Sequence, residues 1–357
     1  MINLTYLNSL YIKKFRAINN LELNHLSRIN ILVGDNNCGK TSVLEAISLF
    51  QNPTDISNIL INCSKRGRGL VSTFDLFLEV FPRENENKSI EITSTVKSIP
   101  YNLNVEGKLV ETLNAELVPS YDNDEYYEEI SVENRVFDGS IKLKKYEELI
   151  ENKGVKISEE GTYSIVSDST SQIINMVYVT PYDYLRNKLI NDTVKIIKCG
   201  EKEEIVKLLK MFDSNIEGFE ILPERNKTLG IYIKHNKYGL MSLSSFGDGV
   251  KKILILSSSV VSAKNGILLI DEIETAIYKS IMKDVFGWLI NACKIYKVQL
   301  IATTHSLEVI DAFIETTSNI DKLTCFRLEH HDDYIYTNRL GGQKLKDIRC
   351  ILGQDVR

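Results

Sequence analysis

The most informative stretch of the sequence is Gly34-Asp35-Asn36-Asn37-Cys38-Gly39-Lys40-Thr41, which matches the pattern G-x-x-x-x-G-K-[ST]. Glycine lets the backbone curl around phosphate oxygens with its N–H groups pointing inward. Lys40 would then neutralise the β- and γ-phosphates of a nucleotide, and the Thr41 hydroxyl would ligate Mg²⁺. These residues predict an ATP site, and a glycine turn without a ligand is the plain alternative.

The chain on either side of this loop supports the prediction. The run from Arg28 to Val33 is short, apolar and β-branched, as expected of a buried strand. Between Thr41 and Phe50 apolar residues recur at helical spacing, so the loop opens a helix whose positive end faces the anion. Cys38 is interpreted as a small filler within the loop, and a redox-sensing thiol is the alternative. The predicted nucleotide contacts in this part of the chain are Asn36, Asn37, Cys38, Gly39, Lys40, Thr41 and Ser42.

Two adjacent carboxylates follow a second apolar run, Gly266-Ile267-Leu268-Leu269-Ile270-Asp271-Glu272. Ligands of α/β sheets sit at the carboxyl ends of the strands, which is where these acids would lie. Asp271 is predicted to hold Mg²⁺ through water, and Glu272 to act as general base toward the attacking water. Alternatively, the two acids cap the next helix. Glu274 is interpreted as a negative charge at the N-terminus of that helix, predicted over 275–294.

His305 ends a third apolar run, Gln299-Leu300-Ile301-Ala302-Thr303-Thr304. A lone histidine is usually structural or merely exposed. At the tip of a buried strand that follows the acidic strand and a helix, it is predicted to sense the γ-phosphate. The catalytic residues predicted from the sequence are therefore Glu272, His305 and Lys40.

A fourth segment, Ser244-Ser245-Phe246-Gly247-Asp248-Gly249, precedes an apolar helix predicted over 249–263. Glycines and hydroxyls at a helix N-terminus can bind phosphate, and a simple helix cap is the equal alternative. The order along the chain is glycine loop, this segment, acidic strand, histidine strand.

That order resembles ATP-binding-cassette-type heads of the SMC, RecF and OLD kind, over about residues 1–55 and 240–357. The resemblance implies that Arg16 and Asn36 lie near the nucleotide. It also implies that Gly247, Asp248 and Gly249 contact the γ-phosphate of an opposite subunit in an ATP-gated head-to-head dimer. The matching pieces are Tyr11-Ile12-Lys13-Lys14-Phe15-Arg16, Ile31 to Ile47, Ser245-Phe246-Gly247-Asp248-Gly249, Leu269-Ile270-Asp271-Glu272 and Thr303-Thr304-His305-Ser306.

The sequence departs from such heads at three places. Gly247 stands where the dimer-contacting motif usually has serine. Thr275 to Tyr278 follow the acids where relatives often carry a glycine and a histidine. No convincing glutamine loop is present, and Gln172 is only a candidate. These departures bear on the contacts between subunits more than on the phosphate loop.

The predicted fold class is α/β, a P-loop head with a mixed sheet flanked by helices and an inserted α+β subdomain. Residues 1–82 and 171–357 form the two parts of the head, and 83–170 form the insertion. Strands are predicted at 4–15, 21–26, 74–81, 88–97 and 104–112. The stretch 122–160 is rich in Asp, Glu and Tyr, so a loosely ordered acidic loop is the alternative for the insertion.

Amino-acid composition limits the binding partners and the cell compartment that we expect for this chain. A formal charge of -5 gives no basic bias, so nucleic acid is possible but not indicated by charge. The six cysteines are scattered without a C-x-x-C pair, which disfavours zinc and fits reduced thiols. No run approaches the ~18 apolar residues that span a bilayer, and no signal peptide is recognisable. We expect a cytoplasmic protein without a membrane partner.

The head resembles stand-alone ATPase subunits of bacterial anti-phage systems of the Septu, PARIS or retron-associated type. The resemblance implies a slow, Mg²⁺-dependent ATPase that acts as a homodimer or higher oligomer and controls a separate nuclease. About fifty residues follow His305, so no nuclease domain of the OLD kind is expected in this chain. A RecF-like DNA-repair ATPase is the alternative function, and a transporter ATPase is a third.

Overall fold

The computed structural model describes residues 6–64, 72–83, 87–120, 123–159, 163–165, 172–183, 189–224, 229–331 and 334–357. The chain divides into two compact units. The first combines Met1–Ser9, Leu23–Leu44 and Ile174–Arg357, and the second combines Leu10–Glu22 and Glu45–Ile173.

The secondary structure alternates between strands and helices in the first unit and is mainly strand in the second. The strands are β1 (Leu7–Phe15), β2 (Ile18–Leu23), β3 (Ile29–Gly34), β4 (Asn87–Val96), β5 (Ile99–Ser120), β6 (Asn123–Lys145), β7 (Glu148–Ser158), β8 (Tyr163–Ile165), β9 (Met176–Val179), β10 (Ile216–Pro223), β11 (Leu229–His235), β12 (Gly239–Ser242), β13 (Ile267–Ile270), β14 (Gln299–Thr303), β15 (Leu323–His331) and β16 (Tyr334–Gly341). The helices are α1 (Lys40–Ser48), α2 (Ile56–Ser64), α3 (Thr73–Leu78), α4 (Leu189–Lys198), α5 (Lys202–Phe212), α6 (Asp248–Ser262), α7 (Lys279–Ile295), α8 (Leu307–Thr316) and α9 (Gly342–Lys346).

The first unit is organised by a sheet with strand order β16-β15-β3-β14-β13-β9. Strands β15, β3, β14, β13 and β9 run parallel, and β16 closes one edge antiparallel to β15. Every residue of β3, β13 and β14 is buried. Because side chains alternate between the two faces of a strand, both faces of the sheet centre must be covered.

Helices of the first unit supply that cover. Apolar side chains of α5, α6, α7 and α8 join those of the central strands in one hydrophobic core. Burying each large aliphatic side chain stabilises the fold by roughly 1.5–3 kcal/mol. A smaller antiparallel sheet, β10-β11-β12, also contributes to this core through Phe219 and Ile233. The predicted α/β class, a mixed sheet flanked by helices, is confirmed.

The sheet brings three strand ends to one edge. Ile270 is paired with Val179 on one side and with Ala302 on the other, and Thr303 is paired with Leu32. The residues that follow these parallel strands therefore emerge together, and this edge carries the phosphate loop and the acids.

The second unit contains a sheet with strand order β2-β1-β4-β5-β6-β7-β8. The described residues of the insertion 83–170 are strands with short turns, so the helical part predicted there is not found among them. The acidic stretch forms a sheet because apolar residues such as Ile141 and Ile157 alternate with charged ones and are buried. Charged side chains pair across strands, as Lys156 does with Asp138 at 3.1 Å. The domain boundaries predicted from the sequence remain predictions.

One strand prediction is wrong. Residues 74–81 were expected to form a short strand, yet Thr73–Leu78 is the helix α3. The reason is local, since the Ser72 side chain accepts a hydrogen bond from the Asp75 backbone N–H and caps the helix. Phe77 of this helix packs edge-on against Phe137, with ring centroids 5.1 Å apart.

Candidate functional site

The glycine loop that is predicted to bind phosphate begins where β3 ends. Gly34 has φ +139°, and a Cβ atom there would lie 2.3 Å from the Leu328 carbonyl oxygen, so only glycine fits. Gly39, just before α1, also has a positive φ of 90°. Helix α1 starts at Lys40, and the N–H groups of its first turn lack partners within the helix. The loop and the helix end together favour an anion.

Lys40 is directed back into the loop. Its Nζ donates to the carbonyl oxygens of Gly34 at 2.8 Å and Asp35 at 2.7 Å, and lies 3.5 Å from Cys38 Sγ. The side chain is buried, as is Cys38, which agrees with the filler interpretation of that cysteine. The carbonyl oxygens of the loop therefore hold the Lys40 ammonium inside the curve of the loop backbone.

The rim of the loop is exposed. Asn36 and Asn37 lie open to solvent, and Asn37 adopts a left-handed φ of 64°. Ser42 is buried in the first turn of α1. Their predicted contacts with a nucleotide remain predictions, and the positions of these residues are compatible with them.

Asp271 joins the loop to the acidic strand. Thr41 Oγ1 donates to Asp271 Oδ2 at 2.9 Å, and Thr303 Oγ1 donates to Asp271 Oδ1 at 2.6 Å. The Asp271 side chain is 5% exposed, and its backbone N–H donates to the Val179 carbonyl. Both carboxylate oxygens are therefore oriented by hydroxyl groups from neighbouring elements.

Thr303 was not recognised from the sequence as part of the site. Besides donating to Asp271, its hydroxyl accepts a 2.8 Å hydrogen bond from the backbone N–H of Glu272. One hydroxyl thus bonds both the Asp271 carboxylate and the Glu272 backbone. The signal that could have revealed it is its place as the last residue of a buried strand beside β13.

Glu272 is held in a left-handed conformation with φ 46° and has an exposed side chain. Thr275 Oγ1 donates to Glu272 Oε2 at 3.3 Å. Neither acid caps a helix, because α7 starts only at Lys279 with Tyr278 as its N-cap residue. The capping alternative for Asp271 and Glu272 is therefore wrong.

Glu274 also differs from its interpretation as helix N-terminal charge. The turn from Glu272 to Ile277, in which Ala276 has φ 64°, delays α7 by four residues relative to the prediction. Glu274 Oε1 instead accepts a 2.8 Å hydrogen bond from the His305 backbone N–H. The His305 carbonyl accepts from Arg357 Nη1 at 3.0 Å, so the backbone of this histidine is held on both sides.

The fourth predicted segment, Ser244 to Gly249, lies at the start of α6, with Gly247 as N-cap residue. Ser244 and Ser245 form a 3₁₀ turn just before it, and Asp248 pairs with Lys251 of the same helix at 2.9 Å. A Cβ atom on Gly249 would lie 2.6 Å from the Phe212 ring and 3.2 Å from the Ala276 carbonyl oxygen. Gly249 is thus required for packing, and the predicted contact of Gly247, Asp248 and Gly249 with nucleotide remains a prediction.

Arg16 belongs to the second unit. Its Nε donates to Glu45 Oε2 at 2.7 Å in a pair whose side chains are 7% and 3% exposed. Its backbone N–H donates to the Val80 carbonyl. A buried ion pair accounts for this arginine structurally, and its nearness to a nucleotide stays a prediction.

The residues present fit a magnesium–triphosphate. Mg²⁺ typically uses one or two protein oxygens together with phosphate oxygens and waters. Thr41 Oγ1 and Asp271 Oδ2, 2.9 Å apart beside the loop, are such a pair. Among the described residues no cluster of three or more His, Cys, Asp or Glu side chains could hold a metal by itself. Nor is any described helix both long and apolar enough to cross a membrane.

Two known proteins are similar to the chain in sequence, and a solved structure is similar to it in fold. A relative from Helicobacter pylori named "ATP/GTP phosphatase" is 24% identical over 374 residues, covering 95% of this chain and 96% of that protein. The "DNA replication and repair protein RecF" of Oenococcus oeni is 34% identical over 108 residues, or 29% of this chain and 28% of that protein. The SMC head bound to the C-terminal winged-helix domain of ScpA is 15% identical, with 95% and 99% of the two chains covered and a TM-score of 0.49.

A family model matches residues 29–311, which include the phosphate loop, the acidic strand and His305. Its description reads "AAA domain, putative AbiEii toxin, Type IV TA system". Because the match spans most of the chain, the protein belongs to this AAA-domain family of ATPases.

Proposed function

We propose that this protein binds ATP with Mg²⁺ and hydrolyses it slowly to ADP and phosphate. The single observation that carries the proposal is the 2.9 Å hydrogen bond between Thr41 and Asp271. It joins the phosphate loop to the acidic strand at the point where a magnesium–triphosphate must meet both. The name of the Helicobacter relative, an ATP/GTP phosphatase, supports a nucleoside triphosphate as substrate.

Binding would rest on the loop and its lysine. Backbone N–H groups at the start of α1 favour the phosphates, and the Lys40 ammonium would exchange its carbonyl partners for phosphate oxygens. Thr41 and Asp271 would hold Mg²⁺, which when bound stabilises the charge that develops on the phosphates.

Hydrolysis would rest on Glu272 and His305. The exposed Glu272 carboxylate extends from the same edge as Asp271 and would accept a proton from the attacking water. Its left-handed backbone, fixed by Thr303, sets the direction of that side chain. His305 would contact the γ-phosphate and thereby report whether it is present.

The protein would act as an ATP-gated homodimer or higher oligomer. In this arrangement Gly247, Asp248 and Gly249 of one subunit would close over the nucleotide of another, and hydrolysis would separate the heads. The exposure of Gly247 and Asp248 at the start of α6 supports this, since both are open to an outside partner.

At the cellular level we propose a sensor or scaffold subunit of a cytoplasmic anti-phage defence complex that controls a separate nuclease. Support comes from the family description, which names a toxin and a toxin–antitoxin system. A RecF-like ATPase of DNA repair is the second candidate, favoured by the 34% identity to the Oenococcus protein over 108 residues.

The biochemical proposal is tested by phosphate release from ATP and GTP in Mg²⁺ and in EDTA. We expect Mg²⁺-dependent release that falls at least 100-fold in Glu272→Gln, while ATP binding persists and a dimer accumulates on sizing. Glu315→Gln, an exposed acid of α8, is the matched control and should behave like the wild type. Equal release by Glu272→Gln and the wild type would refute the assigned base.

The cellular proposal is tested by phage challenge of cells expressing the protein with the products of its neighbouring genes. Protection that requires Lys40 supports the defence role. Sensitivity to DNA damage on deletion, without any effect on phage, would favour the RecF-like role instead.

A further inference from the structure

A buried lysine lies in helix α6 of the first unit. Lys252 in α6 is 1% exposed, and its Nζ has no hydrogen-bond partner among the described residues. An ammonium group removed from water without a partner is costly, so such a residue calls for an explanation. Burial lowers the pKa of Lys252 to about 8, and among the charges that oppose this shift the carboxylate of Glu274 is foremost.

Glu274 presents the complementary feature. Its Oε1 accepts the hydrogen bond from the His305 backbone N–H. Its Oε2 is buried and has no hydrogen-bond partner in the described part of the chain. A half-buried glutamate with one buried, unpaired oxygen and a fully buried, unpaired lysine therefore occur in the same unit.

Packing places the two on facing elements. The backbone of α6 at Gly249 approaches the turn that follows Glu274 so closely that a Cβ atom there would lie 3.2 Å from the Ala276 carbonyl oxygen. Lys252 is three residues farther along the helix and so lies on the same face, toward that turn.

We propose that Glu274 is a positioning residue that fixes the backbone of His305, and that Lys252 is its buried counter-charge. No hydrogen bond or ion pair joins the two side chains directly, so the lysine acts through its charge and favours the ionised carboxylate that receives the His305 N–H. This attraction couples α6 to the loop carrying the predicted γ-phosphate sensor. The catalytic consequence rests on the proposed hydrolysis of ATP, whereas the structural link does not.

A purely space-filling lysine would behave differently. Its replacement by methionine, which has similar length and no charge, would then leave the His305 loop unchanged. A counter-charge acts only through Glu274. Replacing Lys252 must therefore change hydrogen exchange at the His305 amide, and it must have no further effect in a protein that already lacks Glu274.

Amide hydrogen exchange at His305, measured in the full chain without nucleotide, tests the link. We expect exchange about 10-fold faster in Lys252→Met, at least as fast in Glu274→Ala, and no faster in the double variant than in Glu274→Ala. Lys252→Arg, which keeps the charge, should remain within about threefold of the wild type, and Lys264→Met, at an exposed lysine after α6, should not differ. Exchange in Lys252→Met within twofold of the wild type overturns the proposal, as does a double variant that shows the product of the single effects.

Steady-state hydrolysis tests the catalytic consequence separately. Lys252→Met should lower kcat about 10-fold and change the Kd for ATP less than threefold, with kcat restored in Lys252→Arg. An unchanged kcat beside faster exchange overturns the positioning role in catalysis. A wild-type protein that hydrolyses no nucleotide refutes the proposed function, and amide exchange then still decides the link between Lys252, Glu274 and His305.

Discussion

The Thr41 hydroxyl donates a 2.9 Å hydrogen bond to Oδ2 of Asp271, a residue 230 positions later in the chain. This contact links the start of the helix after the phosphate loop with the end of a buried strand. A threonine after a glycine loop and an aspartate after an apolar strand each occur in many unrelated proteins. Their direct contact is what a shared magnesium–triphosphate site requires.

Removing the Thr41 hydroxyl, or replacing the Asp271 carboxylate by an amide, should abolish the effect of Mg²⁺ on nucleotide binding. We expect Thr41→Val and Asp271→Asn to weaken binding of a non-hydrolysable ATP analogue at least 10-fold in Mg²⁺ and very little in EDTA. Fluorescence titration with and without Mg²⁺ measures this. Thr316→Val, at a hydroxyl bonded within α8, is the control. Full retention of the Mg²⁺ effect in both variants would show that the metal lies elsewhere.

Thr303 should matter as much as a recognised motif residue. Thr303→Val preserves shape but leaves the Glu272 N–H and Asp271 Oδ1 without this partner. Losing such buried hydrogen bonds costs about 1–3 kcal/mol of folding free energy. We also expect kcat to fall about 10-fold because the Asp271 carboxylate and the Glu272 backbone each lose a hydrogen bond that positions them. Urea unfolding and phosphate release measure the two effects, and a wild-type kcat in this variant would contradict the role of Thr303.

Lys252 should make stability rise with pH in the alkaline range. Its pKa is about 8 in the folded chain, whereas a lysine exposed to water has a pKa of 10.5. Burial lowers the pKa more than the nearby carboxylates of Glu274, Asp183, Glu272 and Asp271 raise it. Between these values the unfolded chain binds more protons, so raising the pH favours folding. The full effect is roughly 3 kcal/mol.

The measurement is the free energy of unfolding of the wild type relative to Lys252→Met at pH 7, 8, 9 and 10. The difference should shift in favour of the wild type from about pH 8 upward, and Lys264→Met should give a flat difference. A flat difference for Lys252→Met as well would mean that the lysine is not desolvated in solution.

The sequence predicted the secondary structure around the candidate site wherever the local signals are strong. The loop from Gly34 to Thr41 and the apolar strands before Asp271 and His305 are such signals, because a continuous apolar run bounded by polar residues has few other structures available. Parallel pairing of those strands then brings their ends together.

What the sequence could not predict depends on single local contacts. The Ser72 side chain caps α3, so a segment that was expected to be a strand is a helix. Left-handed φ values at Glu272 and Ala276 form a turn, so α7 starts later than predicted. Glu274 lies in this turn and accepts a hydrogen bond from the His305 backbone N–H. Lys251 and Lys252 are adjacent, and only packing decides that the second is buried while the first pairs with Asp248.

The central claim is that the loop lysine and the late carboxylates enclose one magnesium–triphosphate. Equilibrium binding of a non-hydrolysable ATP analogue to Lys40→Ala, in the presence of Mg²⁺, tests it most directly. We predict an affinity at least 100-fold weaker than that of the wild type, with an unchanged unfolding midpoint as evidence of an intact fold. Wild-type affinity in a folded Lys40→Ala protein would contradict the account.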